Sequence, residues 1–211
     1  IWHTEIFNSP RPLQKSGILS TEEDFFVTLL IKLSQLIDWL NERVGKAAFW
    51  LVLVMTIICA ANASYRFVFN DSSNGMLEIQ WYLFAAVFLL CSPYTLQKNE
   101  HVRIDVLSGK LSSRGLAVID IIGTLFFLLP MVITVLWLSL PLVAESYKIQ
   151  EMSSNAGGLI RWPVKILLPI GFTLLALQGI SELIKRIAFL DGRIDDPNDK
   201  KKGPTAEEEL A

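Results

Sequence analysis

Residues Lys98 to Arg114 read KNEHVRIDVLSGKLSSR, a polar and mostly basic segment set between two long apolar runs. Four Lys/Arg (Lys98, Arg103, Lys110, Arg114) and one of the chain's two histidines, His101, fall within it. The run on either side is long enough to cross a hydrocarbon core of ~30 Å, which takes about 20 helical residues. Two further apolar blocks lie outside these, so four spans are expected, at about 47–69, 76–96, 116–143 and 162–190. The 211-residue chain is 52% hydrophobic, with a mean hydropathy of +0.42. Its apolar residues form continuous blocks rather than alternating segments of about ten residues, which excludes an outer-membrane barrel. The expected fold class is an all-α membrane protein with four transmembrane helices.

The same segment sets the expected orientation. Lys/Arg near span ends favour the cytoplasmic side. One side carries Lys32, Arg43, Lys46, the four cations of the 98–114 loop, Lys185, Arg186, Arg193 and Lys200 to Lys202; the other carries Arg66, Lys148, Arg161 and Lys165. Both termini and the central loop are therefore expected in the cytoplasm of a multi-pass inner-membrane protein, with outward loops at 70–75 and 144–161. A net charge of −2 gives no field for nucleic acid.

Outside the spans, residues 1–19 hold Pro10, Pro12 and Gly17 and are expected to be irregular. Ser20 and Glu23 stand three apart before an apolar run, the pattern of a capping box. From there to residue 46, Phe25, Phe26, Leu29, Leu33, Leu36, Ile37, Leu40 and Val44 fall on one helical face and Gln35, Asp38, Asn41 and Glu42 on the other. An amphipathic helix lying in the membrane interface is expected over 20–46, rather than a helix packed on a soluble domain, since no such domain is present. The third span is longer than a bilayer core requires, and tilt or a kink at Pro130 would absorb the excess. The tail, 191–211, is charged and contains Pro and Gly, and is expected to be flexible.

Chemistry is sparse. Haem ligation inside a bundle needs axial ligands on helices, usually histidine, whereas His3 and His101 both lie outside the spans. The sequence holds no HExxH, P-loop, Ser/His/Asp set or Cys/His cluster. No catalytic, cofactor-binding or metal-binding residue is therefore expected, and Cys59 and Cys91 read as packing residues. Asn62 is the main mid-span polar group. Glu78, Asp120 and Glu182 sit within a turn or two of an interface, where a carboxylate reaches water or a neighbouring cation. Arg66 and Glu78 flank a short loop and are candidates for an ion pair.

Within the central loop, His101, Arg103 and Asp105 alternate with Val102, Ile104 and Val106. An extended chain would separate polar from aliphatic faces, and a helix would make His101 and Asp105 i,i+4 neighbours; the sequence leaves both open. Either way the pattern suits docking, for which His101, Val102, Arg103, Ile104, Asp105 and Arg114 are the candidates. At these residues the chain resembles the small membrane subunit, of DctQ type, of tripartite ATP-independent periplasmic (TRAP) transporters, whose signature is an HVRVD-like stretch after the second span. His101-Val102-Arg103-Ile104-Asp105, the following Leu111-Ser112-Ser113-Arg114, and Arg66 and Glu78 carry the likeness. One departure is Leu89-Leu90-Cys91-Ser92, where that pattern would place glycine and alanine. The resemblance implies a non-enzymatic scaffold without cofactor. Its partners would be a large many-spanning TRAP membrane subunit, a periplasmic substrate-binding protein and membrane lipid, in ion-coupled uptake of an organic anion. Rival readings from the residues alone are a stand-alone small transporter or channel and the membrane anchor of a redox complex.

Overall fold

The structure, a computed structural model, describes residues 21–71, 73–98 and 112–195. The elements are α1 (Thr21–Phe69), α2 (Asn74–Lys98), α3 (Ser113–Gly123), a π-helical turn (Thr124–Leu128), α4 (Leu129–Lys148), α5 (Trp162–Lys165) and α6 (Leu167–Leu190). Four stretches are long and apolar enough to cross a membrane: Phe25–Phe69, Asn74–Lys98, Ser113–Lys148 and Trp162–Leu190. Among the described residues there is no strand, only an isolated bridge between Met152 and Ile160. The protein is an all-helical membrane protein.

The 20–46 segment differs from expectation. Its residues from Thr21 onward are the first half of α1, a single helix of 49 residues that extends about 74 Å at 1.5 Å per residue. No proline interrupts it. Gly45 is the weakest helix former at the junction and costs only about 1 kcal/mol, too little to separate two helices. The side turned into the bundle is mostly the small and polar one. Ser34, Ile37, Asn41 and Ala48 are buried, as is Gly45 between them, whereas Phe25, Phe26, Leu29, Leu33, Leu36 and Leu40 are exposed. The physical reason is the solvent. Lipid gives apolar side chains no reason to leave it, so helices associate through small residues and polar groups that satisfy one another. The same seam continues to Asn62, which is buried near the far end of α1.

α6 is the centre of the bundle, packing against α1, α2 and the α3–α4 span, while α1 and α2 form an antiparallel hairpin beside it. Glycines let these helices approach. A Cβ on Gly171 of α6 would lie 2.8 Å from the Leu89 Cβ and 2.9 Å from the Leu89 carbonyl oxygen, and one on Gly45 would lie 2.6 Å from the Tyr94 Cβ. Close approach at Leu89-Leu90-Cys91-Ser92 is thus achieved by small residues on the facing helices rather than on α2.

In the third span, Pro130 has no N–H and its ring crowds the carbonyl of residue 126. The ladder relaxes just before it by widening to π geometry, with the Leu129 N–H donating to the Thr124 carbonyl. Thr134 returns a hydroxyl hydrogen bond of 2.7 Å to the Pro130 carbonyl. Pro141 lies within α4 and the helix continues past it to Lys148.

Candidate functional site

Two polar clusters stand out, one at each end of the bundle. The first lies where α1 begins and α6 ends, here termed the terminal end. Ser34, Asp38 and Asn41 on α1 are spaced by one helical turn, as are Gln178, Ser181, Glu182, Lys185 and Arg186 on α6, so two polar stripes meet along an antiparallel seam. Asn41 donates to the Gln178 side-chain oxygen at 2.7 Å. Asp38 accepts from Gln178 at 2.8 Å, from Ser181 at 2.8 Å and from the Lys185 ammonium at 3.0 Å. The Ser34 and Ser181 hydroxyls lie 2.7 Å apart. Lys185 also pairs with Glu182. Arg186 reaches Asp120 on α3 at 3.4 Å and Glu182 at 3.7 Å. Gln178, Ser181 and Arg186 are all buried. The cluster thereby joins α1, α6 and α3.

At the opposite, loop end, Glu78 in the second turn of α2 is only 4% exposed. Its carboxylate accepts from the Asn155 amide at 2.9 Å, the Leu159 backbone N–H at 2.7 Å and the Ser153 hydroxyl. It thus holds the segment that joins α4 to α5. That segment folds back on itself: Arg161 N–H donates to the Glu151 carbonyl at 2.8 Å and Ser153 N–H to the Leu159 carbonyl at 3.0 Å. Gly157 turns the tip at φ 70, a conformation glycine adopts without steric cost. Asn74 and Tyr82 bind the Ala156 and Ile160 carbonyls at 2.9 and 3.1 Å.

Glu151 and Lys165 close the base of this segment as an ion pair. The Lys165 ammonium holds the Glu151 carboxyl below its ordinary 4.5. A carboxyl lowered on folding contributes stability above its unfolded value, and that contribution is lost as pH falls through the folded value. Protease resistance of the 149–161 segment should therefore be flat from about pH 5 to 8 and should fall only below about pH 4. Loss of resistance on raising the pH from 5 would contradict this assignment, and Glu151→Gln should diminish the acid step, leaving the part that comes from protonating Glu78, which holds the same segment.

Of the residues singled out from the sequence, His101, Val102, Arg103, Ile104 and Asp105 lie outside the described residues. Arg114 is exposed in the first turn of α3, just after Ser112 caps that helix by accepting from the Gly115 N–H at 3.2 Å. Arg66 is exposed in the last turn of α1. Glu78 takes its partners from the 153–159 segment, and among the described residues no ion pair joins it to Arg66. Asp38, Asn41, Gln178, Ser181 and Lys185 were not singled out. Their signal was present as matched polar stripes, 34/38/41 and 178/181/182/185, in or beside apolar spans.

No curated protein and no solved structure matches the chain. Residues 55–189, well over half of the chain, match the family described as tripartite ATP-independent periplasmic transporters, DctQ component. The match begins within α1 and ends at the penultimate residue of α6, so it takes in the last part of α1 and the other three membrane-length helices, and with them Glu78 and the 178–186 stripe. The chain belongs to the DctQ family, the small membrane component of TRAP transporters.

Proposed function

We propose that this chain is a non-catalytic scaffold subunit. In this reading it supports the large many-spanning TRAP subunit in a bacterial inner membrane and helps receive the periplasmic substrate-binding protein during ion-coupled uptake of an organic anion. The observation that carries the reading is the use made of polar groups at the terminal end. The side chains of Asp38 and Asn41 bind those of Gln178, Ser181 and Lys185 across helices, and Lys185 also pairs with Glu182 on its own helix. An alternating-access pathway instead keeps polar groups on broken helices facing a mid-membrane cavity. Cross-bracing suits a rigid support.

The terminal end is cytoplasmic in this reading, in keeping with its excess of Lys/Arg. Arg43 over the Trp39 ring and Lys98 over Tyr94, at 5.4 and 5.5 Å, mark the boundary where cations and aromatic rings gather. The exposed Phe/Leu stripe of α1 meets lipid at that boundary. The His101–Asp105 stretch and Arg114 dock the large subunit from the cytoplasmic side.

Gently solubilised complexes should contain this chain together with a much larger membrane subunit, and liposomes holding this chain alone should show no substrate flux. Flux without a partner would overturn the proposal. Replacing His101, Arg103 and Asp105 together by alanine should reduce co-purification with the large subunit about tenfold, the effect of losing two or three modest polar contacts. Undiminished assembly and uptake would remove the loop from the docking surface.

A further inference from the structure

The segment held by Glu78 has the build of a docking element. Resting on the scaffold reading above, we propose that Glu78 is a positioning residue. It fixes residues 151–161 as a rigid finger through which this chain contacts the soluble substrate-binding protein.

Three observations carry this. First, a carboxylate almost wholly removed from solvent at a helix end is costly unless its oxygens are satisfied, and among the described residues its hydrogen-bond donors come from the one segment, at residues 153, 155 and 159. Gly158 is packed so closely that an added Cβ would lie 2.9 Å from the Glu78 oxygen and 2.5 Å from the Ser153 Cβ. The finger is therefore clamped rather than merely tethered, and a clamped loop loses less entropy on binding. Second, the finger lies against the first turns of α2, where Asn74 holds the Ala156 carbonyl, and its tip, Ser154 to Gly157, is nonetheless exposed. Third, the tip chemistry selects the partner. Ser154, Asn155, Ala156 and Gly157 carry no charge and no large apolar group, so the tip has nothing to insert into lipid or pack against a membrane helix. Short polar side chains and accessible backbone suit adaptable hydrogen bonding to a protein surface in water. The exposed pair Met152 and Ile160 at the base supplies an apolar contact beside it.

The test is uptake by the complete complex in proteoliposomes, titrated with substrate-loaded binding protein. Glu78→Gln keeps one carbonyl oxygen but turns an amide toward the Leu159 N–H. Its half-saturating concentration of binding protein should rise about fivefold, and that of Glu78→Ala about twentyfold or more, with the maximal rate and co-purification of the large subunit unchanged. Ser154→Trp alters the exposed tip without touching the clamp and should raise the same concentration by a similar factor. An unchanged half-saturation in both Glu78→Ala and Ser154→Trp would overturn the proposal. So would a change confined to assembly with the large subunit, which would place the finger against the membrane partner instead. If the wild-type chain does not assemble with a large subunit at all, the scaffold reading itself fails, an outcome visible before any variant is made.

Discussion

Asp38→Ala should lower the melting temperature of the solubilised protein by roughly 5–10 °C and expose the first half of α1 to protease, while Leu36→Ala, two residues away, should change neither. Asp38 accepts hydrogen bonds from Gln178, Ser181 and Lys185, and bonds to a charged group contribute about 1.5–3 kcal/mol each in mutational series. Polar contacts between membrane helices average less, about 0.6 kcal/mol, because the separated helices find other partners. Removing the carboxylate also leaves the Lys185 ammonium with one acid fewer in a largely buried site, the situation in which breaking a pair costs most. A net loss of about 2–4 kcal/mol follows. Leu36 is 60% exposed, and in lipid or detergent its truncation removes contacts that the solvent replaces equally well. Asp38→Asn should fall between the two. Thermal unfolding of the three variants, with protease mapping of residues 21–46, checks the order. A larger effect for Leu36→Ala would mean that α1 presents its leucine face to the bundle, the arrangement for a water-exposed amphipathic helix.

That contrast shows what the sequence made legible and what it did not. The four spans were readable because 20-residue apolar blocks admit few other structures, and the basic 98–114 segment divided them into pairs. Pro130 pointed to an irregularity in the third span, although not to its form, since kink and π turn both relieve a missing N–H. Which face of α1 packs on the bundle was not legible, for a physical reason. A moment between Leu/Phe and Ser/Asp/Asn has the same period whether the polar face meets water or another helix, and only the stripe on α6 decides between them. Gln178, Ser181, Glu182 and Lys185 supplied that information, but pairing them with residues about 140 positions earlier in sequence needs tertiary structure. Glu78 illustrates the same limit. Its place at the start of a span suggested a cation across the short 70–73 turn, whereas its partners sit about 75–81 residues downstream.

Gly171→Val should be strongly damaging to the seam between α2 and α6, and the order Gly171→Ala, Gly179→Ala, Gly123→Ala should run from most destabilising to neutral or better. At Gly171 a new Cβ meets the Leu89 Cβ, carbonyl carbon and carbonyl oxygen between 2.8 and 3.2 Å away. Those are main-chain or near-main-chain atoms that move only if α2 moves, so overpacking of about 1–3 kcal/mol is expected for alanine and more for the branched valine. At Gly179 the nearest atom is the Leu128 Cδ2 at 2.8 Å, the far end of a side chain that changes rotamer at modest cost. At Gly123 nothing lies within 4 Å, and alanine there contributes helix propensity of up to about 1 kcal/mol. Displacing α2 at Leu89 also shifts both ends of that helix. Gly171→Val should therefore loosen the Glu78 clamp and the contact of Gln97 with the Asp38 carbonyl, 3.1 Å in the intact bundle. Detergent-titration unfolding of the four variants, read alongside protease sensitivity of residues 151–161, tests the two consequences together. Equal stability of Gly171→Ala and Gly123→Ala would show that α2 and α6 do not pack at this register, and the finger would then lose the rigid base on which its clamping depends.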